Sequence, residues 1–403
     1  MKKFLFAFVL AFAFSSLALD YTWLGTQDSN WQNPANWDAV NGPAPWNTNI
    51  YTDRVLIRNR PVGGFPLEYT DNEGTTYINA FRIYNGDFII DGGTLCITNS
   101  AETVSSIGSG GNPGTGGALT VNGGLLAFHT YENFYISEAG MSNAIFTVNG
   151  GEVRLYVVQL RGRTDGTMIS AINLNGGLTT LGRMQEIVTN KFHANYFNFN
   201  GGLLRASGAL NWALEGPNAN YGINGAPLQI RDGGMKIDTG AVNCDITDGI
   251  QHSDIPGDNP IDGGLIHDAS NNARSFNMRG TNTYTGATIS NGGTFRLMPT
   301  SNHALFIKAD GAVNAISILG GSGQFQGVFN IVPEPSPFVY TSWRLVEKGA
   351  SAAIAYAATF GLEIDGVPFD DNGDGTFALR DYKYDTATGI LTRKPLFSMF
   401  LVK

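Results

Sequence analysis

Residues 196–206 read YFNFNGGLLRA and contain Asn200-Gly201-Gly202, the triplet on which the predicted fold depends. The pattern Asn/Asp-Gly-Gly occurs eight times, and successive copies lie 25 to 32 residues apart. The copies begin at Asp91, Asn122, Asn149, Asn175, Asn200, Asp232, Asp262 and Asn291. Self-similarity at a period of about 20 to 50 residues indicates a repeat architecture.

Short runs of β-forming residues flank most copies, as in LTVNGGLLAF at 119–128 and FTVNGGEVRL at 146–155. Apolar and polar residues alternate in these runs, which is the period of a half-buried strand. An array of hairpins is the alternative, because Asn-Gly is a strong hairpin signal. Hairpin turns, however, recur about every 8 to 12 residues. The longer period fits one coil of three short strands and three corners, so we predict an all-β protein that folds as a β-solenoid.

Each triplet is predicted to mark one corner of a coil. Glycine turns with positive φ at small steric cost, and Asn or Asp before it bonds readily to neighbouring backbone. If all copies lie at the same corner, their side chains can stack into a ladder along the axis. Coils that repeat at about 4.8 Å would make a rod body roughly 40 Å long.

The composition excludes several classes of protein. The 403 residues include 52 glycines and 11% aromatic residues, with only 15% charged residues and a net charge of −9. Aromatic and β-branched runs argue against disorder. No basic stripe is present, so nucleic acid is not expected as a partner. The two cysteines, Cys96 and Cys244, lie on different repeats, and we expect two separate buried thiols because stacked coils would hold them too far apart.

Residues 1–18 have the pattern of a secretory signal peptide. Lys2 and Lys3 precede a continuous apolar run from Phe4 to Phe14, and Ser16 and Ala18 form a small-x-small cleavage site. A single membrane anchor is the alternative, but the run is short for a bilayer span. We therefore expect a secreted or cell-surface protein, cleaved near Ala18, with no membrane span after removal of the signal.

A tryptophan-rich segment, residues 19–60, precedes the repeats. Trp23, Trp31 and Trp37 lie within fifteen residues of one another, among Asn and Pro. A solenoid needs an atypical unit to cover its open end, and large aromatic rings suit that role. The alternative is a carbohydrate-binding platform on which the same three rings stack against sugars. The cap is the favoured interpretation, because every solenoid has to cover its open end.

Two segments carry a resemblance to a known family. Residues 282–297, NTYTGATISNGGTFRL, are similar to the autotransporter-associated β-strand repeat of secreted bacterial proteins. The matching positions are Asn282, Tyr284, Gly286, Thr288, Ile289, Gly293, Thr294 and Leu297, with Phe295 where leucine is usual. Residues 20–60 resemble the N-terminal cap of such proteins, and 90–265 resemble them loosely. The resemblance implies a right-handed parallel β-helix in a secreted protein and implies no enzymatic activity.

The chain divides into five predicted parts. After the signal at 1–18 and the cap at 19–60, we predict solenoid repeats over 61–330. Residues 331–341, IVPEPSPFVYT, contain three prolines in five positions and predict an extended linker. The triplet period is absent from 342–403, which we interpret as a small β-rich cap or module.

Asp370, Asn372 and Asp374 match the start of a calcium-binding loop, with Asp381 at its twelfth position. The flanking residues have strand character, whereas an EF-hand requires helices. An acidic turn between two strands is therefore the favoured interpretation, and calcium is the only candidate cofactor.

An acidic stretch at 245–268 is the candidate catalytic region. It holds Asp245, Asp248, Asp254, Asp258, Asp262 and Asp268, together with His252 and His267. Paired carboxylates are what glycosidic cleavage requires. Most of these aspartates precede glycine or lie near proline, so formation of turns is the favoured explanation and no catalytic residue is assigned.

Three functions follow from these patterns. The favoured one is a secreted or cell-surface β-solenoid with a structural or adhesin-like role and no catalytic activity, with polysaccharide or cell-surface components as partners. The alternatives are a polysaccharide-acting β-helix enzyme, a lyase or a glycosidase, and a carbohydrate-binding module. Carboxylates that converge with Arg or Lys in a groove would favour the enzyme, and smooth Asn, Thr and Ser ladders would disfavour it.

Overall fold

The computed structural model describes residues 20–38, 54–58, 64–98, 104–108, 116–129, 133–137, 143–162, 169–188, 194–207, 212–214, 228–246, 249–269, 273–335 and 341–394. Most of these residues form parallel strands stacked as a β-solenoid, which confirms the predicted all-β solenoid fold. The predicted signal peptide lies outside the described residues. The right-handed winding stays a prediction.

Each coil contributes a strand to each of three faces. Face one begins at Thr75–Ile78, which pairs in parallel with Thr94–Ile97 of the next coil. Face two begins at Asp20–Trp23, which pairs in parallel with Arg54–Ile57. Face three is an eight-stranded sheet that begins at Leu67–Tyr69. Successive coils therefore lie in register, with like positions stacked along the axis.

Faces one and two form a single 22-stranded sheet because the long strand Glu152–Gly162 bends from one face to the other. The strands of this sheet are Asp20–Trp23, Arg54–Ile57, Thr75–Ile78, Ala80–Ile83, Thr94–Ile97, Ser105–Ile107, Leu125–Phe128, Asn133–Ile136, Glu152–Gly162, Leu178–Val188, Leu203–Ala206, Trp212–Leu214, Met235–Asp238, Cys244–Ile246, Leu265–Asp268, Ser275–Met278, Thr288–Ser290, Thr294–Leu297, Ile316–Ile318, Ser322–Phe325, Val346–Lys348 and Ala353–Tyr356.

Face three is divided between two sheets. The eight-stranded sheet consists of Leu67–Tyr69, Gly86–Ile90, Gly116–Val121, Asn143–Val148, Ile169–Leu174, Ala194–Phe199, Leu228–Ile230 and Ile250–His252. A five-stranded sheet continues the face with Thr281–Asn282, Asn302–Ile307, Val328–Pro333 and Gly361–Ile364, and ends with Val367–Pro368. A separate antiparallel sheet of five strands comprises Ser342–Arg344, Asp370–Asp371, Thr376–Leu379, Tyr382–Asp385 and Ile390–Arg393.

One continuous hydrophobic core fills the interior between the faces. Inward positions alternate with outward ones, as in Asn143–Val148, where Ala144, Phe146 and Val148 are buried and the residues between them are not. In-register stacking places like residues beside one another, so Phe88 and Leu119 are partners on adjacent coils. Burial of the alternating apolar residues is the main force that holds the coils together.

The solenoid extends beyond the predicted boundary at residue 330. Val328–Pro333, which includes the start of the predicted linker, pairs in parallel with Asn302–Ile307, and Ile331 is fully buried. A further coil follows, because Val346–Lys348 and Ala353–Tyr356 pair in parallel with the coil before them. This coil was not predicted because it lacks the triplet and because alanine has a weak intrinsic preference for strands. Pairing with the exposed edge of the preceding coil outweighs that weak preference.

Among the described residues near the N-terminal end, two short segments are 3-10 helices. Pro34–Asn36 is capped by Asn33, whose side chain accepts a hydrogen bond from the Ala35 backbone N–H. Asp71–Glu73 is capped by Thr70 in a capping box with Glu73. Both helices begin with the cap residues that favour such turns.

Candidate functional site

The best-defined polar feature of the described surface is an asparagine ladder at the corner between faces three and one. Each Asn side chain donates from Nδ2 to the carboxamide or carboxylate oxygen one coil earlier, because the repeat places the triplets in register. The distances are 2.6 Å from Asn122 to Asp91, 2.8 Å from Asn149 to Asn122, 2.9 Å from Asn175 to Asn149 and 3.4 Å from Asn200 to Asn175. Five triplets thus form one row of side-chain hydrogen bonds.

The glycines of the triplets permit the coils to approach closely at this corner. Gly151 has a φ of 67°, and a Cβ atom there would lie 2.6 Å from the carbonyl carbon of Gly123 and from Gly124 O. Real Cβ atoms do not approach backbone atoms this closely, so only glycine fits. The triplet therefore combines a turn with the spacing that the ladder requires.

The ladder changes after Asn200. Asn200 Oδ1 accepts from the Gly233 backbone N–H at 2.8 Å, whereas Asp232 accepts two hydrogen bonds from Asn259. Asn291 lies at a different corner, because it follows a face-one strand, Thr288–Ser290, and precedes a face-two strand. The expectation of one common corner is therefore wrong for Asn291. The spacing of 29 residues from Asp262 to Asn291 resembles one coil only because the intervening coil is short.

A second polar row follows face three. Asn198 Nδ2 donates to Asn173 Oδ1 at 2.8 Å, and Asn173 Nδ2 donates to Thr147 Oγ1 at 3.2 Å. This row was not predicted from the sequence. Its signal was present, since these residues are separated by 25 and 26 positions, the same period as the triplets.

The aspartates of the acidic stretch bind neighbouring coils rather than converge on one another. Asp254 accepts from Gln229 Nε2 at 2.8 Å, and Asp258 receives two hydrogen bonds from Arg231 at 2.7 and 2.8 Å. The Arg231 guanidinium holds the pKa of the Asp258 carboxyl below its usual value. These contacts fasten the segment 253–262 to the preceding coil.

Each remaining described aspartate of the stretch also has a partner. Asp245 accepts from Asn277 Nδ2 at 3.0 Å, and Asp268 accepts from Asn291 Nδ2 at 2.9 Å. Asp248 lies outside the described residues. The described carboxylates therefore act as acceptors that connect successive coils, each with a different partner.

His252 and Asp262 form the arrangement closest to acid–base machinery among the described residues. His252 Nδ1 lies 3.0 Å from Asp262 Oδ2, and the Asp262 side chain is 0% exposed against 27% for His252. The same carboxylate accepts from the backbone N–H groups of Gly264, Thr285 and Gly286 at 2.7 to 2.9 Å. Because three backbone N–H groups donate to it, the Asp262 carboxylate holds the corner of the coil together. Its contact with His252 Nδ1 also orients the imidazole ring.

His267 lies apart from that pair, inside the core. Its ring contacts Ser290 Oγ at 2.9 Å and stacks on Phe276 with centroids 5.1 Å apart. Burial lowers the pKa of His267 to about 4, so the imidazole is neutral at physiological pH. It is not available to a substrate that remains outside the coils.

The tryptophan cluster covers the N-terminal end of the core. Trp23, Trp31 and Trp37 are 0%, 0% and 3% exposed, and Trp37 packs edge-on against both other rings at 5.0 and 5.2 Å. Trp37 Nε1 donates to Trp31 O at 2.8 Å. A sugar-binding platform requires an exposed ring face, and these rings present none. Their geometry therefore matches a cap.

The candidate calcium residues belong to an antiparallel hairpin. Asn372 Nδ2 donates to Thr376 Oγ1 at 2.9 Å, and Asp374 Oδ1 accepts from the Thr376 backbone N–H at 3.0 Å. Asp370 is a strand residue paired with Ala378. Asp381 bonds Arg393 Nε at 2.6 Å. The side chains of Asn372 and Asp374 are thus used in the turn and that of Asp381 in an ion pair, and calcium binding here stays a prediction.

Other described features bear on the expectations. Both cysteines are free and buried, as predicted. Within the described ranges, nowhere do three or more His, Cys, Asp or Glu side chains group in a way that would hold a metal ion. The same part of the chain contains no helix of the length and apolarity needed to cross a bilayer.

Comparison of the chain with known protein families, curated proteins and solved structures finds no match.

Proposed function

We propose that the protein is a secreted or cell-surface β-solenoid with a structural or adhesin-like role, exported by the signal at 1–18 and related to proteins with autotransporter-associated β-strand repeats. The observation that carries the proposal is the use of polar side chains. The corner ladder and the described aspartates of 245–268 connect successive coils through hydrogen bonds. Side chains that form hydrogen bonds between coils stabilise a rod and present a polar, anionic surface.

Export is supported by the residues of the signal, where Lys2 and Lys3 precede an apolar run and a small-x-small cleavage site. Mass spectrometry of protein from the culture medium should give a chain that begins at Leu19. Retention of residues 1–18 in protein recovered from the medium would contradict the proposed cleavage.

The competing function is an enzyme that cleaves polysaccharide. It is favoured by one observation, the His252–Asp262 pair, whose imidazole is partly exposed. The test is incubation of the purified chain with panels of acidic and neutral polysaccharides, with release of reducing ends as the readout. We expect no release above the buffer control at neutral pH.

Release of sugar fragments would overturn the non-catalytic proposal. The variant His252→Asn would then identify the site, since loss of release in this variant and not in Gln251→Ala would assign the activity to the imidazole. Gln251 is the matched control because it lies on the same strand and is exposed.

A further inference from the structure

A cavity of about 540 Å³ lies at the C-terminal end of the solenoid, between the last coil and the antiparallel sheet. Its floor is formed by inward-facing residues of the last coil, among them Val346, Ile354 and Tyr356. Its wall is the turn 386–389, which is held to the coil because the backbone N–H groups of Leu345 and Val346 donate to Gly389 O. The volume is that of a small organic ligand rather than a single ion.

Two cations face this cavity. Lys348 stacks in register after Ile318, Ser290 and His267, all of which are buried, so it occupies an inward position of the last coil. Lys348 itself is exposed and forms no ion pair with any carboxylate that the structure describes. A lysine at the end of a core column points its charge into the cavity instead of into apolar packing.

Arg344 is held at the rim. Its Nη1 donates to Thr388 O at 3.2 Å, and within the described chain its guanidinium has no carboxylate partner. Asp385, the acidic residue of the adjacent turn, accepts from the Ala387 backbone N–H and from Thr388 Oγ1. Glu347 accepts from Ser317 Oγ. Both carboxylates keep their charge, but neither lines the cavity, so Arg344 and Lys348 are the charged residues of its described lining.

The cavity also offers an aromatic surface. Tyr356 is half-buried, and its hydroxyl lies 2.8 Å from that of Tyr384. Burial raises the pKa of Tyr356 to about 12, so the phenol is neutral and adds no negative charge at physiological pH. An aromatic ring beside apolar side chains accommodates the C–H face of a sugar, and guanidinium and ammonium groups bind carboxylate.

We infer that this cavity binds a carboxylated sugar unit, and that the protein thereby recognises uronate-containing polysaccharide. The inference rests on the proposed non-catalytic surface role and names its ligand class. Charge complementarity supports it, because a cationic cavity in a chain of net charge −9 selects an anionic ligand at a defined place. The apolar and aromatic floor, together with the volume, distinguishes a sugar ring from a simple anion.

The test is calorimetric titration of the full chain with hexagalacturonate at low salt. We expect saturable binding that weakens as salt is raised, and at least roughly tenfold weaker binding in the double variant R344Q/K348Q. The control R274Q/K236Q removes two exposed cations elsewhere and should bind as the parent does. Thermal melting of both variants checks that each is folded.

Two further ligands separate the alternatives. Maltohexaose, a neutral oligosaccharide of equal length, should bind at least roughly tenfold more weakly, and millimolar sulfate should weaken hexagalacturonate binding no more than sodium chloride of equal ionic strength does. Absence of saturable binding, equal weakening in both double variants, equal affinity for the neutral sugar, or stronger competition by sulfate than by sodium chloride of equal ionic strength would each overturn the inference. Cleavage of the hexamer during titration would instead contradict the proposed function, so the two failures are distinguishable.

Discussion

At the scale of single residues, Asn149 shows how the repeat is stabilised. Its side chain donates to Asn122 of the preceding coil at 2.8 Å and accepts from Asn175 of the following coil at 2.9 Å. The residue is exposed, so each bond competes with water and contributes modestly. The stabilisation comes from repetition, because every coil in the row makes the same contact.

Replacement of Asn149 by alanine should lower the free energy of unfolding by about 1 to 2 kcal/mol, since two hydrogen bonds are lost. Urea denaturation measures this value. The control Gln251→Ala changes an exposed amide outside the ladder and should stay within about 0.5 kcal/mol of the parent. Equal effects in the two variants would show that the ladder does not stabilise the fold.

Buried His303 should make stability depend on pH. Burial lowers the pKa of His303 to about 4, and neither ring nitrogen has a hydrogen-bond partner. In the unfolded chain the pKa of the imidazole is near its ordinary value of 6.5. Between these values the unfolded state binds the proton and the native state does not. Stability should therefore fall as pH decreases from 6.5 to 4, by about 3 kcal/mol for this group.

His267, whose pKa is also lowered to about 4, should make a similar contribution to the dependence of the unfolding free energy on pH. Unfolding free energies measured at intervals from pH 7 to 4.5 test this contribution. The His303→Phe variant should lose about half as much stability on acidification as the parent does. His129→Phe is the control because His129 is exposed, and its pH profile should match that of the parent. An unaltered profile in His303→Phe would contradict the buried, neutral imidazole.

At the scale of the element, the corner depends on glycine for two separate reasons. Gly177 has a φ of 64°, and a Cβ there would lie 2.6 Å from Gly151 O of the preceding coil. Gly366 has a φ of 72° in the hairpin Gly361–Ile364 to Val367–Pro368, with no atom within 4 Å of an added Cβ. Both glycines have the left-handed backbone conformation, but only Gly177 lies against a neighbouring coil.

Gly177→Ala should therefore destabilise the protein by about 2 to 5 kcal/mol, from left-handed strain of about 1 to 2 kcal/mol and overpacking of about 1 to 3 kcal/mol. Gly366→Ala should cost only the strain. Chemical denaturation of both variants gives the difference. Similar losses at the two positions would mean that close stacking at the corner is unimportant.

At the scale of the whole molecule, the two ends of the core are covered differently. The N-terminal end is covered by the indole rings of Trp23, Trp31 and Trp37. The C-terminal end is covered by the antiparallel sheet, where Phe360 packs edge-on against Phe377 at 5.4 Å and also contacts Tyr384. A solenoid without such covers exposes apolar core and strand edges that self-associate.

A chain ended after Pro368 lacks four of the five strands of that sheet and should expose Phe360. We expect it to form larger species than the full chain at equal concentration, as measured by size-exclusion chromatography with light scattering. Tyr384→Phe is the control, because it keeps the ring and removes only the hydroxyl pair with Tyr356. A truncated chain with the same mass distribution as the full chain would show that the sheet is not a cap.

Much of the fold was predictable because its determinants are local and repeated. Period-2 alternation identified the strands around 119–128 and 146–155, and the triplet identified the turns between faces three and one. The last coil was missed because Val346–Lys348 and Ala353–Tyr356 carry no triplet, and only their parallel pairing with the preceding coil places them on the solenoid. The cavity beside Arg344 and Lys348 was missed for the same reason, since it exists only where that coil meets the antiparallel sheet.

The sequence by itself determined that the chain coils, because an Asn/Asp-Gly-Gly turn between alternating strands, repeated every 25 to 32 residues, can bury its apolar faces only by stacking. Tertiary structure alone decided what each copy does. It placed Asn149 in a ladder, Asp262 at the centre of a buried corner and Asn291 at a different corner. It also buried the tryptophans and paired the aspartates with other coils. The physical reason is that these contacts join residues a full coil apart, and their register depends on the lengths of every strand and corner between them.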